Sequence, residues 1–198
     1  MPKLTCSTGA RAQVGRTGAK RPKIAAFLNG IGHYYQHAIC KGIDRQAGEL
    51  GFSVLFFASD VRYAVNENNQ GELILFTLPD MHAFDGVIVV TNTIASAEAV
   101  EYLHNALPAD MPVVSIGPSI GDSFCMNSVN NGCMEALVRH FIVDHGFTRI
   151  NYISGPPGNP DAEYRFRTYK RVMAESGVKY DDRIFIGDFS RECAREAI

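Results

Sequence analysis

The chain has 198 residues, 46% of them hydrophobic and 20% charged, with a net charge of −2 and an isoelectric point near 6.3. That is ordinary globular composition for one or two domains, able to bury roughly 70% of its surface without staples, and it lacks the basic excess of a nucleic-acid binder. No run of eighteen apolar residues offers a transmembrane helix, and five cysteines (Cys6, Cys40, Cys125, Cys133, Cys193) without CxxC spacing favour thiols in a reducing compartment over disulfides or a zinc site.

Residues 1–22 carry Lys3, Arg11, Arg16, Lys20 and Arg21, no acids and no continuous apolar segment. They read as a basic flexible tail, not a signal peptide, and two amphipathic helices of a helix-turn-helix cannot be drawn through Thr5 to Gly18. From Lys23 onward strands and helices alternate. Lys23 to Leu28 is a buried-type strand. Tyr35 to Leu50 is a helix with Tyr35, Ala38, Ile39, Gly42, Ile43, Ala47 and Leu50 on one face, closed by Gly51. Phe52 to Phe57 is a second strand, Glu67 to Thr77 a weaker helix, and Gly86 to Val90 a third strand. Ala95 to Leu107 is a helix and Pro112 to Ile116 a fourth strand. Ser123 to Asn127 is a short fifth strand, and Asn131 to Asp144 a helix with Met134, Leu137, Val138 and Phe141 inward.

Ile150 to Ser154 is the next strand, and the run Gly155-Pro156-Pro157-Gly158 stops it. Asn159 is placed to cap a following helix. Pro160 stands at its first position, where a missing N–H costs nothing, and Asp161 and Glu163 put negative charge in its first turn. Ala162, Phe166, Tyr169 and Met173 share one face, and Gly177 is a natural stop. Arg183 to Ile186 is a further strand and Arg191 to Ile198 a further helix. Alternation of this kind predicts an α/β fold, a doubly wound parallel sheet with helices on both faces and strand order 2-1-3-4-5. The strand pattern ends without a closing strand, so part of the second half is expected to lie outside this sequence.

Loops at the carboxyl ends of parallel strands are where ligands bind. Gly30-Ile31-Gly32-His33-Tyr34-Tyr35 is half a dinucleotide fingerprint, without its third glycine and without an acid closing the second strand. His33 and His37 have metal spacing but no third ligand. The aromatics beside them suit a pocket floor, or equally a core. Asp161 and Arg165 stand i,i+4, either as a solvated pair or with Asp161 orienting Arg165 toward a cleft. Acids at this helix start argue against phosphate there. No catalytic constellation, metal site or cofactor motif is found, and binding leads as the functional class.

Three stretches carry a resemblance. The first is Tyr35-Gln36-His37-Ala38-Ile39-Cys40-Lys41-Gly42-Ile43-Asp44 with Gly51-Phe52. The second is Phe84-Asp85-Gly86-Val87-Ile88-Val89 with Met111 to Gly117. The third runs from Gly132 through Val138-Arg139-His140-Phe141-Ile142 and His145-Gly146-Phe147-Thr148-Arg149-Ile150 to Ser154-Gly155-Pro156, Ala162, Arg165 and Tyr169. In order and spacing the chain from Lys23 resembles the ligand-sensing domain of LacI/GalR-type regulators, a type 1 periplasmic-binding-protein-like fold. The form around Gly155 to Ala162 also looks like sensor domains that precede signalling modules.

The resemblance implies a first lobe over 23–149 and the start of a second over 150–198. It implies a small polar ligand, a sugar or nucleoside, held between them by His33, Tyr34, Tyr35, Asn92, Thr93, Asn159, Asp161 and Arg165. A cytoplasmic homodimer is expected, with DNA binding or another signalling output through a separate module and no membrane contact. The alternative is a Rossmann-like enzyme acting on a nucleotide or phosphosugar. The family's usual Asp-Asn pair reads Ser128-Val129 here, and Thr168 stands where a glycine is common.

Overall fold

The computed structural model describes residues 20–59, 74–94, 96–127, 132–180 and 184–198. Most of the expected tail, residues 67–73 of the weak helix, and the Ser128-Val129 pair lie outside them. Of the weak helix, the described part is a single 3-10 turn, Ile74–Phe76.

The chain lays down β1 (Lys23–Asn29), β2 (Ser53–Ser59), β3 (Gly86–Val89), β4 (Val113–Ile116) and β5 (Phe124–Met126) as one parallel sheet of order β2-β1-β3-β4-β5. The expected order holds, and β1 is interior: Ala26 lies between Phe56 of β2 and Ile88 of β3. Parallel neighbours require crossovers: α1 (Tyr34–Leu50) joins β1 to β2 and α2 (Ala97–Ala106) joins β3 to β4, while residues 117–123 lead from β4 to β5 without a helix. Ala25, Phe27, Val87, Val89, Phe76, Ile94, Ala99 and Leu103 form the core on one side, with the Phe27 and Phe57 rings stacked at 5.1 Å. Leu28, Cys40 and Val90 form a smaller core on the other. Burial on both faces explains why the interior strands read as unbroken apolar runs.

The inward face of α1 overlaps the expected one at Ile39 and Ala47 but is turned from it. Gln36, Cys40 and Ala47 are buried, whereas Tyr35 is 49% and Leu50 58% exposed. The buried stripe begins with a polar residue, Gln36, tucked beside Gly30, so apolar periodicity alone selects the adjacent row.

A second, two-stranded parallel sheet pairs β6 (Tyr152–Ser154) with β7 (Ile184–Ile186). Against it pack α3 (Cys133–Arg139) and α4 (Pro160–Glu175), and α5 (Arg191–Glu196) follows β7. Tyr169, Val172 and Met173 of α4 and Val138 of α3 are sealed in one cluster with Tyr152 and Ile184 at its margin. Each such aliphatic burial contributes roughly 1.5–3 kcal/mol. The Tyr169 hydroxyl donates to the Ile150 carbonyl at 2.9 Å, and its ring stacks on Tyr152 at 4.6 Å. Counting α3 with the first lobe, as the expected division at 149/150 does, sets it apart from the helix it packs on.

After Arg139 the helix continues as a π turn, His140–Asp144. Of the residues expected inward before it, Val138 is buried and Met134 packs on the same cluster, whereas Leu137 is 48% exposed. Within the turn Asp144 pairs with His140 Nδ1 at 2.6 Å, and His140 Nε2 meets His145 Nε2 at 3.0 Å.

Helices α3 and α4 are joined at the surface by four charges. Arg139 reaches Glu135 at 2.9 Å and Glu175 at 2.6 Å; Arg171 reaches the same two carboxylates at 2.6 and 3.0 Å. Hydrogen bonds from Arg171, and then Arg139, hold the Glu135 carboxyl below its usual value, and Arg171 foremost does the same for Glu175. A carboxyl with a depressed folded pKa stabilises the fold above its unfolded value of about 4.3, and that stability disappears as pH falls through the folded pKa. Thermal melting followed by circular dichroism should therefore show a midpoint that falls on acidification below about pH 4.3. The Glu135→Gln, Glu175→Gln double variant should lose part of that acid dependence, and added salt should weaken the wild type more than the double variant.

Candidate functional site

Both sheets send the carboxyl ends of their strands into loops that carry most of the buried polar groups among the described residues. At the end of β1, Asn29 accepts a hydrogen bond from the Ser59 hydroxyl at 2.8 Å, and its own N–H donates to Thr93 Oγ1 at 3.1 Å. After β3 the chain makes a 3-10 turn, Thr91–Thr93. Thr91 donates to the Pro118 carbonyl at 2.6 Å and approaches that of Ile116 at 3.2 Å, while Thr93 donates to the Val90 carbonyl at 2.7 Å. Gly117 lies so close that a Cβ there would stand 2.7 Å from the Asn92 backbone nitrogen and Cβ. The ends of β1, β3 and β4 thus fix this turn, and Asn92 with it.

Three of the expected ligand residues meet here. Asn92 Nδ2 donates to the Tyr35 hydroxyl at 2.8 Å, and the Asn92 main-chain carbonyl accepts from Asn159 Nδ2 at 3.1 Å. Asn159 caps α4 as its position predicts: Oδ1 accepts from the Ala162 N–H at 3.0 Å, and Pro160 takes the first helical position. Glu163 accepts from the Gly158 N–H at 3.1 Å, which fixes the preceding loop.

The other expected residues are placed differently. Thr93 is 3% exposed, with its hydroxyl engaged by Val90 and Asn29. Tyr34 is 91% exposed, and His33 is the N-cap of α1 without a side-chain cap bond. Among the described residues, the i,i+4 ion pairs on α4 include Glu163–Arg167 and Arg171–Glu175.

Arg165 lines a cavity of about 270 Å³ at the carboxyl ends of β6 and β7, together with Tyr152, Ser154, Asp188, Phe189 and Cys193. Burial pushes the Tyr152 phenol up, the positive charge of Arg165 opposing, so the phenol remains a neutral donor. Asp188 is held below the usual carboxylate value by hydrogen bonds from Ser190, whose N–H lies 2.8 Å from Asp188 Oδ1. The same Ser190 caps α5 through the Cys193 N–H at 3.1 Å. One cation, one anion, neutral hydroxyls and an aromatic face are a lining for a polar, uncharged molecule with an apolar side.

Phe189 was not foreseen. Its φ of 66° is in the left-handed region, a conformation costing a bulky residue about 1–3 kcal/mol. The ring, 53% exposed, lies directly over Gly155, where any Cβ would collide with Phe189 Cε1 and Cζ and with the Ala162 methyl. The sequence signal was Gly187-Asp188-Phe189-Ser190 straight after a strand: an acid and a helix cap around an aromatic residue at a carboxyl end.

No family model matches the sequence. The HTH-type transcriptional regulator DegA of Bacillus subtilis is 25% identical over 185 residues, spanning 91% of this chain and 52% of DegA; the chain covers about half the length of this curated relative. Among solved structures, the lac repressor dimer bound to operator and the anti-inducer ONPF superposes with a TM-score of 0.69 at 14% identity, over 90% of this chain and 59% of the repressor. The transcriptional regulator CelR–cellobiose complex gives 0.68 at 18% identity over 89% and 54%. The regulator CcpA of Lactococcus lactis gives 0.67 at 20% over 89% and 62%. The chain has part of the fold of LacI-type ligand-binding domains, and the resemblance read from its sequence holds at that level.

Gly155→Ala should force the Phe189 ring off the cavity edge. Overpacking of this kind costs about 1–3 kcal/mol, readable as a lower urea midpoint, and adding Phe189→Ala should recover part of it. Equal midpoints for Gly155→Ala and wild type would mean the ring has another place to go.

Proposed function

We propose that this chain is the sugar-sensing part of a LacI-type transcriptional regulator, binding a small polar ligand between two lobes. The observation that carries this reading is the cavity at the ends of β6 and β7, lined by Arg165, Asp188, Tyr152 and Phe189. It opens on the same α4 N-terminus that reaches the Thr91–Thr93 turn of the first sheet. The names of the CelR–cellobiose complex and of the lac repressor bound to ONPF support a sugar-like ligand. In this reading His33, Tyr34, Tyr35 and Asn92 form the first-lobe wall, and Asn159, Asp161 and Arg165 the second. We take the second lobe to begin ahead of α3, a division that the packing of α3 on α4 supports. The whole protein acts in the cytoplasm as a homodimer, with a separate module delivering its DNA-binding or signalling output. The reading is of a binder, not an enzyme. An enzyme on a nucleotide or phosphosugar would want an anion cradle at the α4 start, where Asp161 and Glu163 stand instead.

Ligand shifts such a protein between states only by binding one of them better. Thermal-shift screening of monosaccharides, disaccharides and nucleosides should single out a sugar, and calorimetric titration should give its affinity. A charge-assisted hydrogen bond from Arg165 is worth roughly 1.5–3 kcal/mol, so Arg165→Ala should weaken binding by about one to two powers of ten while melting changes little. Unchanged affinity would remove Arg165 from the site, and no stabilisation by any sugar would remove the sensing reading.

A further inference from the structure

The side chain of Asn159 is used at both ends. Oδ1 caps α4 through the Ala162 N–H at 3.0 Å, and Nδ2 donates to the Asn92 carbonyl, 67 residues away, at 3.1 Å. The residue is 3% exposed, so neither bond is diluted by solvent. Its partner is among the most firmly fixed points of the first sheet. The Thr91–Thr93 turn is bonded to the ends of β1 and β4, and the Asn92 side chain is bonded to Tyr35 of α1. On the other side, Arg165 stands three residues beyond Ala162 on the same helix and lines the cavity.

We propose that Asn159 is a positioning residue that ties α4 to the first lobe, so that the spacing of the lobes and the place of Arg165 across the cleft are set by one amide. The cap needs only an oxygen at position 159; the tie needs the amide N–H. The two roles therefore separate chemically. Aspartate and serine cap as well as asparagine, but aspartate has no donor and sets an acceptor against the Asn92 carbonyl, while the one oxygen of serine, a bond shorter, cannot reach that carbonyl from the cap position. The proposal rests on the sensing reading for its consequence to ligand binding, but not for its consequence to shape.

The test compares the whole chain with Asn159→Asp, Asn159→Ser and Asn159→Ala by small-angle X-ray scattering and thermal melting. With the tie, the Asp and Ser variants keep the wild-type melting midpoint yet have a larger radius of gyration, while the Ala variant loses on both counts. Unchanged radii in both Asp and Ser variants overturn the proposal. Midpoints for both as low as that of the Ala variant overturn it too, since the side chain would then serve the fold alone. Titration with the sugar selected by screening should show an affinity about five- to tenfold weaker for Asn159→Ser, the loss of roughly one hydrogen bond. The two readings fail differently. Sugar binding that depends on Arg165 while the radii stay unchanged removes the tie and leaves the sensor. Enlarged radii with no sugar bound by any variant leave the tie and remove the sensor.

Discussion

A buried polar group must find a partner inside the protein, and this constraint organises the carboxyl edge of both sheets. Asn29, Ser59, Thr91, Thr93, Ser115, Ser154 and Asn159 are all buried, and all lie in the last residues of strands or just beyond them. Parallel strands end on the same edge, so these groups arrive together and can satisfy one another. Asn29 takes Ser59 and Thr93, Thr91 takes the carbonyls beyond β4, and Ser115 takes Ser123 at 3.0 Å. The result is a fixed polar rim above an apolar core, and the rim is what allows loops to hold side chains still enough to bind.

The sequence made the first sheet legible because its interior strands are covered on both faces. Runs such as Ile24 to Leu28 and Val87 to Val89 carry a strong signal when every residue is apolar, and short connections then leave few topologies. The α4 start was equally legible, since Asn159, Pro160 and Asp161 each have one good place in a helix. One register departs because its inward stripe is not the most apolar one: in α1 the buried residues include Gln36. In α3 the expected Met134 and Val138 do face the core, and Leu137 beside them is exposed.

Side-chain destinations at the cleft were harder. Thr93 and Asn159 looked alike as polar residues after strands. One spends its hydroxyl within its own sheet, and the other reaches across to the opposite one. Which occurs depends on distances between segments far apart in the chain, and periodicity holds no record of them. Phe189 escaped for a different reason: its role comes from a left-handed backbone and a bare glycine beneath the ring, neither of which a phenylalanine announces.

The four-charge junction of Glu135, Arg139, Arg171 and Glu175 has a mechanical meaning. Helix α4 is a rod about 24 Å long at 1.5 Å per residue. Its first turn touches the cleft, and its last turns are clasped to α3 through two guanidinium groups that each grip two carboxylates. Such exposed pairs hold little by themselves, but beneath them Val138 of α3 and Tyr169, Val172 and Met173 of α4 share one buried cluster. A displacement at the start of α4 would therefore carry α3 with it, so that a contact made at one end of the helix is felt, as leverage, at the other.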